Sequence, residues 1–360
     1  MSYYRLSLAF AAALAASSPA AAAPAPGLDV QTLIRRSDVV WGFDFLADGR
    51  IIFTERRGRL GVYDPKTGKA AEVGGAPAVW ASGQGGLLDV RAHPGFAKNR
   101  WIYLTWSHPG ERGAVTALGR GRLEGGKLEG FETLFVTNAS AGGGVHFGSR
   151  IVFDGPHLYM SVGERGQRDR AQDLKSHHGK ILRLTHDGKP DGAKLPGALP
   201  EIWSWGHRNP QGLAVRPGAK QLWSAEMGPR GGDELNLVTR GANYGWPVAT
   251  HGREYHGPKI GAPLKEGMQP PAAHWVPSIS PSALAFYDGD AFPGWRGSVF
   301  LACLSGEHLR RVALDGDAPG EQEVLLDDRG WRFRNVRQGP DGLLYFSTDD
   351  GRLGRIAPAR

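Results

Sequence analysis

One phrase recurs along this chain, and any fold must accommodate its repetition: an apolar strand, an Asp-Gly or Pro-Gly turn, a second apolar strand, then a glycine-rich loop. It runs from Phe43 to Phe53 through Asp48-Gly49, and from Leu87 to Trp106 through Pro94-Gly95. Further copies span Ile151 to Gly163 through Asp154-Gly155 and Leu213 to Ser224 through Pro217-Gly218. The last two are Leu284 to Leu301 and Val336 to Phe346, the latter turning at Asp341-Gly342. Copies spaced roughly 45 to 70 residues apart match a repeat of about 40–50 residues with loop insertions. Alternating side chains let each strand bury one face against a neighbouring unit, and closing the ring protects the sheet edges. The repetition predicts an all-β fold, a six-bladed β-propeller forming one domain over residues 24–360. A β-sandwich, the structural rival, does not predict six similar phrases over this length.

Residues 1–23 stand apart from that pattern. Arg5 precedes an apolar, alanine-rich run from Leu6 to about Ala16, and Ala21-Ala22-Ala23 closes it before Pro24. A single positive charge, a short apolar core and small residues at the end make a secretory signal, too short for a membrane-spanning helix of about 20 residues. The expected location is secreted or periplasmic, with no membrane span. Cys303 is the only cysteine, so no intrachain disulfide staples the fold. The net charge of +7 comes without a run of five Lys or Arg, which argues against nucleic acid as a partner; a small anionic ligand would suit it, although on charge alone a basic exported protein is the plainer reading.

Insertions in a propeller collect in loops on one face, where function resides. The longest loop-like segments are Leu104–Gly144, Gly163–His178, Met227–Pro281 and Leu304–Arg332. Four stretches there carry chemistry. His146, after Gly142-Gly143-Gly144 and just before a strand, can take a proton from an alcohol, and Glu164 ends the second strand of the same blade, placed to hold the imidazole. Arg208-Asn209 follows an aromatic strand and precedes Pro210; an arginine there can grip a carboxylate, although a surface loop is an equal reading. Glu226 to Asn236 brings Gly-Pro and Gly-Gly turns together with Asp233 and Glu234, oxygen donors of the kind calcium takes, without the helix-loop-helix calcium spacing; a Gly-rich blade connection with solvated acids is the alternative. Arg332 and Arg334 share one face of an extended segment and can point at one anion; in isolation two edge arginines would be the plainer reading.

Taken together, Gly83-Gln84-Gly85-Gly86, the His146 stretch, Gly206-His207-Arg208-Asn209-Pro210, Gly228-Pro229-Arg230-Gly231-Gly232-Asp233-Glu234 and Asn243-Tyr244-Gly245-Trp246-Pro247 occur in an order that resembles the soluble aldose sugar dehydrogenase and glucose/sorbosone dehydrogenase family. The resemblance runs from about Val40 to the C-terminus. It implies a pyrroloquinoline quinone (PQQ) site on one face of the propeller, with His146 as the base that removes the sugar hydroxyl proton while a hydride passes from the anomeric carbon to the quinone. Gln84, Arg208, Asn209, Tyr255, Arg332 and Arg334 would contact PQQ. Gly228 and Pro229 would offer backbone oxygens to a Ca2+ bound with it, and Glu234 and Tyr244 match a further calcium site. One departure stands out: the family usually has a lysine where this chain has Ser305. Loss of one charge-assisted hydrogen bond costs roughly 1.5–3 kcal/mol, about ten- to a hundredfold in binding.

The implied reaction oxidises an aldose to its lactone and hands electrons to an unidentified acceptor, the enzyme being a monomer or homodimer. Two other readings use the same fold: a metal-dependent lactonase-type hydrolase, and a propeller that binds glycans or proteins without catalysis. The first needs several carboxylates around an open metal and leaves the arginine pair without a task. The second needs exposed aromatic patches and no convergent base and anion site.

Overall fold

A computed structural model describes residues 27–110 and 113–359; the leader predicted for residues 1–23 lies outside the described residues. Six four-stranded antiparallel sheets form the blades of a propeller. Each recurring phrase forms the first two strands of one blade. The innermost strands are Val40–Phe45, Leu87–Ala92, Ile151–Asp154, Pro210–Arg216, Pro281–Phe286 and Phe333–Gln338. Their immediate partners are Ile51–Glu55, Trp101–Gly110, His157–Val162, Gln221–Glu226, Val299–Cys303 and Leu344–Thr348. Leu28–Arg35 pairs with Arg352–Pro358 as the outer strand of the sixth blade, so the two ends of the described chain zip the ring shut.

The long segments read as loops depart in part from the sequence expectation. Leu104–Gly144, read as a long loop, is mostly strand: Trp101–Gly110, Gly113–Glu124 and Lys127–Val136 extend the second blade. The same holds in part for Leu304–Arg332, which contains Leu309–Asp315 and Ala318–Leu325. Glycines and charged residues on exposed outer strands imitate loop composition, because an edge strand packs only one face.

The core lies between blades. Trp223, Ala225 and Leu235 of the fourth blade pack against Leu284, Phe286, Val299 and Leu301 of the fifth. Full burial of each large apolar side chain is worth about 1.5–3 kcal/mol. Hydroxyls on second strands add staples. Thr54 donates to Leu88 O (2.6 Å), Thr105 to Ser149 O (2.7 Å) and Ser347 to Val40 O (2.7 Å), each crossing to the next blade.

At the axis, Arg150 draws five blades together. Its side chain is 4 % exposed, and it donates to Asp89 Oδ1 (2.9 Å), Gln211 O (2.8 Å) and Ser282 O (2.8 Å). Its guanidinium lies 4.4 Å from the Trp41 ring centroid. Burial pulls the Arg150 pKa below its ordinary value, and Asp89 opposes that.

In five blades the pairing between the innermost strand and its neighbour slips at the first positions, between Val40/Gly42, Leu87/Val90, Pro210/Gly212, Pro281/Ala283 and Phe333/Asn335. A bulge at that place bends the strand and re-aims the residues that precede it. In the second, fourth, fifth and sixth blades those residues line the candidate site, whereas the third blade, which follows His146, pairs without a slip. Among the described residues no helix is long and apolar enough to cross a membrane.

Replacing Arg150 by Met should be among the most damaging substitutions in the chain. It strands the buried Asp89 carboxylate and two carbonyls, a loss of about 3–5 kcal/mol. Urea denaturation reads the loss directly, and a shift under about 1 kcal/mol would show that the hub is dispensable.

Candidate active site

All six innermost strands leave the same end of the ring, so the residues just ahead of them meet around the axis. Gln84 precedes Leu87, His146 precedes Ile151, Arg208-Asn209 precedes Pro210, Ser278 and Ser280 precede Pro281, and Arg332 precedes Phe333. Together with Met227, Gly228 and Tyr255 they line a cavity of about 500 Å³.

His146 sits on its floor, with a side chain 14 % exposed. Its Nδ1 lies 2.6 Å from Glu164 Oε1. A carboxylate only accepts, so Nδ1 carries the proton and Nε2 keeps its lone pair. Burial pulls the imidazole pKa below its ordinary value of 6.5; the Glu164 hydrogen bond raises it, and the charge of Arg208 lowers it again. The ring is therefore neutral near pH 7, the state a general base needs.

Packing dictates the position of that ring. His146 has φ of 52°, and its N–H donates to Gln84 Oε1 at 2.9 Å. Gln84 N–H donates in turn to Gly144 O at 2.7 Å. Arg165, almost fully buried, donates to Val145 O, to Gly143 O at 2.8 Å and to Ala114 O at 3.1 Å. Its guanidinium stacks 3.5 Å from the Phe147 ring centroid, and burial lowers its pKa to about 10. The glycine-rich loop is thus tied from both sides. Gly163 closes the arrangement, since a Cβ there would stand 2.0 Å from His146 O.

Cationic and amide groups form the wall. Arg208 donates to Met227 O at 2.8 Å and approaches the Tyr255 hydroxyl at 3.5 Å, and its backbone N–H donates to Glu226 Oε2 at 2.6 Å. Asn209 accepts from Gly148 N–H at 3.1 Å, joining this wall to the His146 segment. Tyr255 is 56 % exposed at the rim. Arg332 and Arg334 share a face as expected, and the anion they share is internal. Asp349 accepts from Arg332 Nε at 3.2 Å and from Arg334 Nε and Nη2 at 2.7 and 3.1 Å. Arg332 lines the cavity, whereas Arg334 stands behind it and also donates to Gln211 Oε1 at 3.1 Å.

The oxygen-rich side is built on carboxylates. Asp233 accepts from the N–H groups of Gly228 (2.8 Å), Ile279 (2.6 Å) and Ser280 (2.7 Å) and from the Ser278 hydroxyl. Gly228 faces the cavity, while the Pro229 carbonyl accepts from Arg253 N–H at 3.2 Å. Glu234 is buried beside Glu226, and Asn236 Nδ2 bridges the two at 3.1 and 3.2 Å. Burial, then the Glu226 charge, pushes the Glu234 carboxyl well above its ordinary range. Asn236 Oδ1 is buried without a partner. Tyr244 stacks on His207 at 4.7 Å, its hydroxyl held by Leu237 O at 2.5 Å. Ser305 spends its hydroxyl within the wall, on Ser278 O (3.2 Å) and Ser280 Oγ (2.7 Å).

Arg165, Asp349, Glu226, Met227, Ser278 and Ser280 were not singled out from the sequence. Glu226 and Met227 begin a stretch that was, but nothing in the chain announces that Asp349 belongs to arginines 15 and 17 residues away. Among the described residues no three His, Cys, Asp or Glu side chains cluster as the side-chain metal cage of the hydrolase reading would require.

A family model described as glucose/sorbosone dehydrogenase matches residues 37–356. The chain is 43 % identical over 356 residues to aldose sugar dehydrogenase YliI of Escherichia coli K12, covering 95 % of this chain and 96 % of that protein. The crystal structure of the soluble aldose sugar dehydrogenase from E. coli in its apo-form superposes with a TM-score of 0.88 at 41 % identity, over 92 % of this chain and all of that one. The PQQ-bound aldose sugar dehydrogenase from Streptomyces coelicolor superposes with a TM-score of 0.78 at 31 % identity, over 92 % of this chain and 99 % of that one.

The tight fit behind His146 predicts that Gly163→Ala displaces the loop. The added methyl meets backbone, which cannot swing aside, so a loss of about 1–3 kcal/mol is expected in chemical denaturation. Unchanged stability would mean that the loop has room the structure does not show.

Proposed function

The chain belongs to the glucose/sorbosone dehydrogenase family, and on that premise we propose that it oxidises aldose sugars at the anomeric carbon to lactones with PQQ and Ca2+. The observation that carries this reading is His146, held through Nδ1 by Glu164, facing a cavity walled by Arg208, Asn209 and Arg332.

The residues fit the cofactors. PQQ is a planar tricarboxylate, and guanidinium and amide donors at Arg208, Arg332, Asn209 and Gln84 suit such a molecule, with Tyr255 at the rim and Arg334 bracing Asp349 from behind. Gly228 and Pro229 would hold one Ca2+ through carbonyl oxygens, the latter by exchanging its bond from Arg253. Glu234 and the Tyr244 carbonyl would hold another. The buried Glu226 and Glu234 pair with an orphaned Asn236 Oδ1 is what a cation would offset. When bound, PQQ supplies a hydride-accepting quinone and Ca2+ a Lewis acid on its carbonyl oxygen.

The protein's own part is proton transfer and positioning. His146 Nε2 takes the proton of the anomeric hydroxyl as the C–H hydride departs. Glu164, on Nδ1, fixes the tautomer and stabilises the imidazolium as charge forms. Asn209 links the base segment to the arginine wall, so base and cofactor-binding groups keep one geometry. Electrons then leave for a separate acceptor. The proposed location is secreted or periplasmic, from the leader at residues 1–23, with the enzyme a monomer or homodimer.

Reconstitution tests this reading. The purified protein, loaded with PQQ and Ca2+, should reduce an artificial dye with glucose and other aldoses and lose activity when either cofactor is withheld. His146→Ala should lower kcat by about 10²–10⁴ while PQQ still binds. Sugar oxidation without PQQ, or an unaffected His146→Ala, would sink the assignment.

Because burial depresses the His146 pKa, the acid limb of kcat/KM should lie below pH 6.5. Glu164→Gln removes the group that raises it, so the limb should move further down and kcat fall together. A limb that stays in place would show that Glu164 does not tune the base.

A further inference from the structure

The central channel has a second chamber at its other end, unconnected with the chemistry above. It holds about 260 Å³ and is lined by the far ends of the innermost strands: Arg91 of the second blade, Val215 of the fourth, Phe286 of the fifth, Asn335 and Arg337 of the sixth.

Its hydrogen-bonding groups are unevenly spent. Asp44 Oδ1 accepts from Phe45 N–H (2.9 Å) and Arg337 Nη2 (3.0 Å), and Oδ2 from Ala92 N–H (2.9 Å). Both oxygens of Asp89 are occupied, by Arg150 and by Ile151 N–H. Gln338 Oε1 accepts from the N–H groups of Asp288 and Gly289. The donors are not spent. Asn335 is 2 % exposed, and its Oδ1 takes Val336 N–H while Nδ2 has no partner. Arg337 Nε is buried without a partner. Arg91, 8 % exposed, donates Nε to Ile151 O at 2.7 Å, and its terminal nitrogens make no hydrogen bond or ion pair among the described residues.

The ion pairing leaves one cation over. Arg150 is paired with Asp89 and Arg337 with Asp44, leaving Arg91 the one lining cation without an ion-pair partner among the described residues. Asp288, the remaining carboxylate, is exposed at the mouth and bonded to Gln338. Water answers the spare donors poorly, because each water brings two donors of its own to a chamber whose inner acceptors are taken and whose other walls are Val152, Val215, Leu284 and Phe286. An anion offers acceptors alone.

We propose that this chamber binds a small oxyanion or carboxylate, gripped by the Arg91 guanidinium with Asn335 Nδ2 and Arg337 Nε. The site is separate from the proposed cofactor cavity and requires neither PQQ nor Ca2+.

Crystals of the protein soaked in selenate, located by its anomalous scattering, test it directly. Selenate should appear within hydrogen-bonding distance of Arg91 and Asn335. In solution, sodium sulfate titrated at constant ionic strength should raise Tm saturably. Arg91→Gln should weaken that response by about ten- to a hundredfold. Arg208→Ala, on the opposite face, should leave it intact and so separates this chamber from an anion held in the cofactor cavity. Water alone in the chamber at saturating selenate, or a sulfate response that survives Arg91→Gln, would overturn the proposal.

Discussion

The ring turns on Arg150. A propeller has no contiguous hydrophobic centre; its inner strands converge on an axis where backbone carbonyls and short side chains would otherwise face a water-filled channel. Arg150 offers N–H donors in a fixed fork at that spot and spends one from each nitrogen on Asp89, Gln211 O and Ser282 O, with Trp41 under its face. The pairing is costly to bury, since desolvation alone depresses the guanidinium pKa. What it gives in return is registration: blades that pack only on their neighbours through apolar side chains could slide, and a directional hub forbids sliding.

The site inherits its precision from that registration. Gln84, His146, Arg208, Asn209 and Arg332 stand just ahead of inner strands, so their positions are set by where those strands begin. Bulges re-aim the beginnings that follow Gln84, Arg208-Asn209, Ser280 and Arg332, whereas the strand after His146 starts in regular pairing. Buried carboxylates then fix the loops. Asp233 gathers three backbone N–H groups, Glu226 takes the N–H of Arg208 and the ring of His207, and Asp349 holds two arginines. Each acid ties together residues from different turns of chain, and the cavity between them is the space these ties leave open.

That architecture explains what could be read from the sequence. The six phrases became the first two strands of six blades because a two-residue period and a turn are local properties. His146, Gln84, Arg208, Asn209 and Arg332 could be found because each sits beside such a strand and carries distinctive chemistry, and all five line one cavity. Asp349, Arg165 and Ser278 escaped notice because their roles exist only after folding; an aspartate before Asp350-Gly351 looks like any turn residue. Leu104–Gly144 was misread as loop for the opposite reason, since an outer strand with one solvated face carries polar and small residues that local composition cannot tell from a turn.

Ser305 spends its hydroxyl on the wall around it. Where relatives are expected to present a lysine, this chain does not leave a hole. Ser305, Ser280 and Ser278 form a run of hydroxyls that ends on the buried Asp233 carboxylate. Their hydroxyls bond one another, Ser278 O and Asp233, so the edge presents no positive charge. The positive charge facing the cavity is left to arginines, and Arg332 reaches this same edge by donating to Leu304 O at 3.2 Å, one residue from Ser305. An arginine held by Asp349 and by a carbonyl is a better-oriented cation than a flexible lysine would be, though a partly neutralised one. The physical trade is therefore between strength and direction: a weaker field toward an anionic ligand, delivered by groups whose orientation is set before the ligand arrives.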